Sequence, residues 1–151
     1  MVKIEQKGYF EVNENINSVY EYLTNPEKVA KAFPIVENIN IIDKDSFDVK
    51  VKLKIGIIHG SADLKLKFVE KNPPFYAKIT GIGNGLKSTM NLELSFELKD
   101  INSNKTFVNW TFVADISGMA ASFGSHVLKS SSENIVNQVI NNLKNNLSKK
   151  T

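Results

Sequence analysis

The fold is decided by residues 108–147, VNWTFVADISGMAASFGSHVLKSSSENIVNQVINNLKNNL, in which one hydrophobic period replaces another. Up to Ile116 apolar and polar side chains alternate, which is typical of a strand with one buried face. Beyond Ser117-Gly118 the apolar residues recur every three or four positions, which predicts a helix from about Met119 to Leu147. The apolar stripe of this helix consists of Phe123, Val127, Leu128, Ile135, Val139, Leu143 and Leu147.

The segments upstream of this switch predict six more strands. In residues 47–55 every odd position is apolar and every even position is Asp or Lys, the pattern of a sheet with one face in water. The same alternation, with even positions apolar, runs through residues 62–68 and 90–98. The predicted strands are 8–12, 35–42, 47–55, 58–69, 75–83, a long one that includes 90–98, and 108–116.

Two short helices are predicted between the first and second strands. Residues 15–23 place Ile16, Val19 and Leu23 at helical spacing, and Asn25-Pro26 separates them from a second short helix that runs to Phe33. No repeat or linker divides the chain. We therefore expect one α+β domain over residues 1–151, a seven-stranded curved antiparallel sheet wrapped around a long C-terminal helix.

Composition excludes several kinds of protein. All 19 basic residues are lysines, so the chain has no arginine guanidinium group to form paired hydrogen bonds with guanine. Sequence-specific nucleic-acid binding is therefore not expected. The chain has no cysteine, which rules out disulfides, thiolate nucleophiles and Cys-ligated metals. No apolar run reaches the roughly 18 residues that a membrane span needs, and no leader precedes the first strand. The sequence predicts a cytoplasmic protein.

Neither a catalytic site nor a metal site is predicted. The two histidines, His59 and His126, stand in contexts that form no metal motif. The string Gly81-Ile82-Gly83-Asn84-Gly85 resembles a phosphate loop, but it precedes a strand rather than a helix, so a hairpin turn is expected there. We therefore expect no catalytic residue, metal or cofactor.

The inward positions of the predicted strands are almost entirely apolar, so any bound molecule would be held by contact and desolvation. For a single residue, a place in the core is the simpler interpretation. As a set, these positions predict a pocket for an apolar ligand between the sheet and the helix. Its candidate ligand-binding residues are Val51, Leu53, Leu64, Leu66, Leu92, Leu94, Trp110, Phe112, Phe123 and Val127.

The outward positions of three predicted strands carry lysines. A solvated face that blocks strand aggregation explains them, and weak contact with anionic lipid head groups is the alternative. These residues are Lys50, Lys52, Lys54, Lys65, Lys67 and Lys78.

The order of the elements and several short strings resemble a known family. The order is that of the helix-grip proteins of the Bet v 1/START-like (SRPBCC) superfamily. The strings together resemble the family of CoxG, a subunit of carbon monoxide dehydrogenase, over nearly the whole chain. They are GYFEV (8–12), VYEYLTNPE (19–27), FP (33–34), GIIHG (56–60), PP (73–74), GIG (81–83), SG (117–118) and FGS (123–125).

This resemblance implies a non-catalytic accessory protein of a molybdenum carbon monoxide dehydrogenase, with an apolar cavity suited to a quinone or lipid. Two departures are Ile35, where the family often has glycine, and the absence after Lys149 of the membrane-anchoring extension that some members carry. The first hypothesis is thus a carrier of a quinone or isoprenoid lipid, cytoplasmic or peripheral to the membrane. The alternatives are an assembly or membrane-recruitment factor for a molybdenum hydroxylase with no ligand of its own, and a polyketide cyclase-like enzyme.

Overall fold

The computed structural model describes residues 1–148 and confirms the predicted architecture. Seven strands form one antiparallel sheet in the order β1-β7-β6-β5-β4-β3-β2, so that the two strands joined by the short helices lie at opposite edges. The strands are β1 (Val2–Val12), β2 (Val36–Ile41), β3 (Ser46–Ile55), β4 (Ile58–Asn72), β5 (Tyr76–Gly85), β6 (Ser88–Asn102) and β7 (Lys105–Gly118).

The helices are α1 (Ile16–Leu23), α2 (Pro26–Ala30) and α3 (Gly124–Ser148), with a 3-10 helix at Met119–Phe123. Asparagine caps the two short helices: Asn15 Oδ1 accepts from Ser18 N at 2.9 Å, and Asn25 Oδ1 accepts from Lys28 N at 3.2 Å. Such caps satisfy amide groups that a first helical turn leaves without partners.

Two helix boundaries differ from the prediction, the end of α2 and the beginning of α3. The second short helix was expected to reach Phe33, but α2 ends at Ala30, and the chain continues in tight turns before Pro34. The C-terminal helix was expected from Met119, but α3 begins at Gly124. The preceding 3-10 helix lies between Gly118 and Gly124, whose φ angles of 91° and 85° interrupt a continuous α-helix.

The hairpin turn expected within the string Gly81–Gly85 was wrong. All five residues belong to β5, and the turn consists of Leu86 and Lys87, with φ angles of 55° and 54°. Two successive positive φ angles suit the right-handed twist of a hairpin. A glycine is needed at position 85 because the strands approach closely there, and not because of a turn. Gly85 lies against the backbone of Ala62, and a Cβ at Gly85 would come within 2.7 Å of Ala62 Cα.

Helix α3 lies across the inner face of the sheet. Its residues Leu128, Val136, Val139, Ile140, Leu143 and Leu147 are buried. Three polar contacts fix its position: Gln6 Nε2 donates to Asn137 Oδ1 at 3.0 Å, Asn142 Nδ2 to Ala32 O at 2.7 Å, and Gly56 N to Ser131 Oγ at 3.1 Å.

Trp110, the one tryptophan in the sequence, lies over a glycine of the neighbouring strand. Gly8 on β1 is the register partner of Trp110 on β7, and the tryptophan is 5% exposed. A Cβ at Gly8 would come within 2.6 Å of Trp110 Cε2. The absence of a side chain at Gly8 therefore makes room for the indole in the core.

We expect Gly8→Val to lower the free energy of unfolding by about 1–3 kcal/mol, since the added side chain must displace the indole. Urea denaturation followed by tryptophan emission measures it. Lys7→Val, one residue away on the outer face, is the control and should change stability much less. Equal losses in the two variants would contradict the assigned packing.

Candidate ligand-binding cavity

Four inward-facing apolar residues are left only partly buried, although the residues around them are fully covered. Leu53, Leu92, Leu94 and Phe112 project from the inner face of the sheet and are half-buried, while Phe96 on the same face is 0% exposed. Well-packed cores do not leave such surface uncovered. The four residues therefore border an empty space under α3.

This space is an apolar cavity of about 110 Å³ between the sheet and α3. Its floor comes from β3 to β7, its roof from α3, and one side from the α2 region. The residues that line it are Val29, Phe33, Leu53, Ile55, Leu64, Leu66, Ile79, Thr80, Gly81, Met90, Leu92, Leu94, Phe112, Ala114, Ile116, Ser132, Ile135, Val136, Val139 and Ile140.

The cavity exists because small residues replace large ones where the helix crosses the middle of the sheet. Leu128, Ser132 and Val136 follow each other at intervals of four, so they lie on one face of α3. Leu128 and Val136 are buried in the core, and Ser132 between them lines the cavity. On the sheet side, Ala114 is the small inward residue of β7, between Phe112 and Ile116. A short side chain on each side leaves the gap.

A wider slot of about 540 Å³ adjoins the cavity, between the edge of β3 and α3. Strand β2 begins only at Val36, which pairs with Val51, so the stretch of β3 beyond Lys52 has no strand on that side. Leu53 and Ile135 line both spaces and form the wall between them. The two spaces therefore adjoin at these two side chains.

The two spaces differ in polarity. None of the described residues that line the cavity carries an ionisable group, and its lining hydroxyl belongs to Ser132. Thr80 also borders the cavity, but alternation along β5 places its side chain on the outer face with its register partners Lys67 and Glu93. The slot is lined by lysine, histidine, serine and amide side chains as well as by apolar ones. Its polar members are Lys52, Lys54, His126, Ser130, Ser131, Asn134 and Gln138.

A family model that describes CoxG, a subunit of carbon monoxide dehydrogenase, matches residues 8–148. The chain belongs to the CoxG family. A search of curated proteins gave no match.

Several solved structures share the fold of this CoxG family member. A conserved protein from Geobacillus kaustophilus is 20% identical, with 96% of this chain and 95% of that chain covered and a TM-score of 0.84. A START superfamily protein from Mycobacterium smegmatis is 10% identical (97% and 99% covered, TM-score 0.74). The Zhui aromatase/cyclase from a Streptomyces species is 11% identical (97% and 94% covered, TM-score 0.71). At these identities the matches show a common fold and nothing finer.

Six of the ten residues predicted to touch a ligand line the cavity: Leu53, Leu64, Leu66, Leu92, Leu94 and Phe112. The other four do not. Val51 and Trp110 lie in the packed core, Val127 lines the slot, and Phe123 packs near Gly56.

Sequence reasoning missed the contributions of α2 and of the middle of α3, Ser132 above all. The available signal was a small polar residue four positions from Leu128 on a helix face that is otherwise apolar. The side chains of Leu66 and Leu64 fold over Gly81 and Gly83, and Gly81 also borders the cavity.

The outer face of the sheet alternates in charge. Asp63 is the register partner of Lys50, and Asp48 is the register partner of Lys65. Lys78 pairs with Glu93 and, at 3.8 Å, with Glu70. The Glu93 carboxylate, by its hydrogen bond and charge, raises the pKa of Lys78. The sheet lysines thus do not form a continuous basic patch.

The histidines lie apart from the cavity: His59 is exposed on β4, and His126 is exposed on α3 at the slot. Within residues 1–148 no group of three or more His, Asp or Glu side chains is arranged to hold a metal ion. Over the same residues, no helix is long and apolar enough to cross a membrane.

Ser132→Leu should fill the gap under α3 and leave the free energy of unfolding unchanged or raised. Ala77→Leu adds a leucine at a residue that is 1% exposed and does not line the cavity, so it should cost about 1–3 kcal/mol through overpacking. Urea denaturation of both variants gives the comparison. An equal cost for Ser132→Leu would mean that no space exists there.

Proposed function

We propose that this protein is a non-catalytic carrier that holds an apolar ligand, a quinone or an isoprenoid lipid, in the cavity under α3. The observation that carries the proposal is the uncovered apolar surface of Leu53, Leu92, Leu94 and Phe112 beside the slot. Covering that surface with a ligand removes it from water, which favours binding by about 25 cal/mol per Å².

The chemistry of the lining favours binding over catalysis. General acid–base catalysis needs a titratable group within hydrogen-bond reach of the reacting atoms. The hydroxyl group of Ser132 has no histidine or carboxylate beside it among the residues that line the cavity. A cyclase-like activity, suggested by the fold shared with the Zhui aromatase/cyclase, therefore lacks an evident acid or base among the described residues that line the cavity.

The size of the cavity indicates how a ligand would sit. An apolar cavity of about 150 Å³ accommodates benzene. At about 110 Å³ the space under α3 is smaller than a quinone ring with a side chain, so binding requires Leu53 and Ile135 to move apart. The ligand would then extend from the cavity into the slot, and its polar end would meet the polar side chains there.

Its membership of the CoxG family leads us to propose a molybdenum carbon monoxide dehydrogenase-type enzyme as the partner, with the carrier in the cytoplasm or at the membrane surface. A second candidate is an assembly or recruitment factor for such an enzyme, with no physiological ligand. The small volume of the cavity favours this alternative.

Native mass spectrometry of protein purified without detergent distinguishes the two roles. A carrier should retain a discrete added mass that organic solvent extracts as an apolar molecule. Protein that is free of any such mass, and that binds the dehydrogenase equally well with and without added quinone, would favour the assembly role.

Direct titration with a short-chain quinone tests the site itself. We expect Leu94→Asp to lower the affinity at least about tenfold, because an unpaired carboxylate in an apolar pocket must be desolvated or protonated. Ser132→Leu should lower the affinity similarly by occupying the space. Isothermal titration calorimetry on variants shown by circular dichroism to be folded gives both values.

Matched controls for these variants lie outside both spaces. Lys50→Glu changes the charge of the outer face, and Asn141→Leu adds a leucine to an exposed position of α3. Lys52 is unsuitable as a control, because it lines the slot. If either control lowers the affinity as much as Leu94→Asp does, or if Leu94→Asp and Ser132→Leu both leave it unchanged, the ligand does not bind under α3.

A further inference from the structure

The two ends of the sheet differ in charge. We define the mouth end as residues 54–60, 84–89 and 116–130, which include the β3–β4 and β5–β6 turns and the connection from β7 to α3. These segments contain no Asp or Glu, but they include Lys54, Lys87 and Lys129. Register places them together: Gly85 pairs with Ser88, Ser88 pairs with Gly118, and Met119 N donates to Lys87 O at 3.0 Å.

The opposite end of the sheet is rich in carboxylates. It contains the β2–β3, β4–β5 and β6–β7 turns and the segment between β1 and α1. Its acidic residues are Glu14, Asp43, Asp45, Glu70 and Asp100. The same end also carries Lys44, Lys71, Lys99 and Lys105, so an anionic surface would attract the mouth end more strongly than this one.

The mouth end also carries an apolar tip. Ile57 lies in the β3–β4 turn and is 86% exposed. Because Ala62 pairs with Gly85 and the β3–β4 ladder runs on to Ile58, this hairpin extends about four residues, or about 13 Å, beyond the neighbouring β5–β6 turn. Met119, 40% exposed, adds apolar surface at the same end. A protruding isoleucine that nothing covers is costly in water but suits the interior of a bilayer.

We propose that the mouth end is a docking surface for a bilayer that contains anionic lipid. Ile57 inserts below the head groups, and Lys54, Lys87 and Lys129 contact lipid phosphates. None of these lysines takes part in the ion pairs found within residues 1–148. The slot opens beside the tip, since Lys54, Gly56 and His126 line it. Docking in this orientation places the slot, which adjoins the cavity, against the membrane.

Flotation of the full chain with phosphatidylcholine vesicles, with and without about 30 mol% phosphatidylglycerol, tests this surface. We expect binding to the anionic vesicles, little binding to the neutral ones, and a steep loss as NaCl rises from about 0.1 to about 0.5 M. Ile57→Asp should lower the bound fraction at least about fivefold, because a carboxylate replaces the inserted side chain. Lys54→Gln should lower the partition coefficient about fivefold, the contribution of one lysine near such a surface.

The matched controls lie at the opposite end of the sheet from the mouth end. Phe75→Asp makes the same kind of change at a side chain that is 53% exposed, and Lys99→Gln removes a lysine there. Neither should change vesicle binding more than about twofold. Thermal melts should show that every variant is folded at the assay temperature, with a small loss of stability allowed for Phe75→Asp because about half of that side chain is covered.

Three outcomes would overturn the docking surface: no binding to anionic vesicles, equal binding to both kinds of vesicle, or equal losses in Ile57→Asp and Phe75→Asp. A concentration-dependent dimer that Ile57→Asp abolishes would assign the tip to a second copy of the chain instead. Quinone binding in vesicle-free solution should be unaffected by Ile57→Asp. The docking surface and the ligand site can therefore fail independently of each other.

Discussion

A single constraint shapes this protein: one helix must cover the apolar face of seven strands. Strands about 4.8 Å apart give a sheet roughly 29 Å wide, whereas a helix with its side chains is about 10–12 Å across. A flat sheet would leave most of its inner face in water. The sheet must curve around α3, and α1 and α2 must close one side, as the burial of Val19, Leu23 and Val29 shows.

The same constraint explains why a cavity forms where it does. Curvature brings the strands towards the helix, but how closely helix and sheet pack depends on the size of the side chains between them. Leu143 and Leu147 fill the space near the C-terminal end of α3 completely, and both are 0% exposed. At Ser132 the bulk is missing, and the apolar side chains below it remain partly uncovered. Helix α3 is thus tightly packed near its C-terminal end and borders a gap at Ser132.

Hydrophobic period was sufficient to predict the strands, their inward faces and the long helix. It was insufficient for the turns and the site. Alternation shows that Val51 and Leu53 face inwards, but it does not show that the first is fully covered and that the second borders the cavity. That difference depends on the crossing point of the helix, which long-range packing determines. Likewise, Leu86 and Lys87 adopt positive φ angles without a glycine, so composition pointed to the wrong turn.

The space under α3 is where we place the apolar ligand. Methyl-labelled protein titrated with a short-chain quinone, observed by nuclear Overhauser effects between ligand and methyl groups, tests this placement most directly. We expect contacts from the ligand to the methyl groups of Leu53, Leu94 and Ile135, and none to those of Leu23 or Leu147 in the packed core. Contacts confined to exposed residues such as Ile82 on the outer face would contradict it.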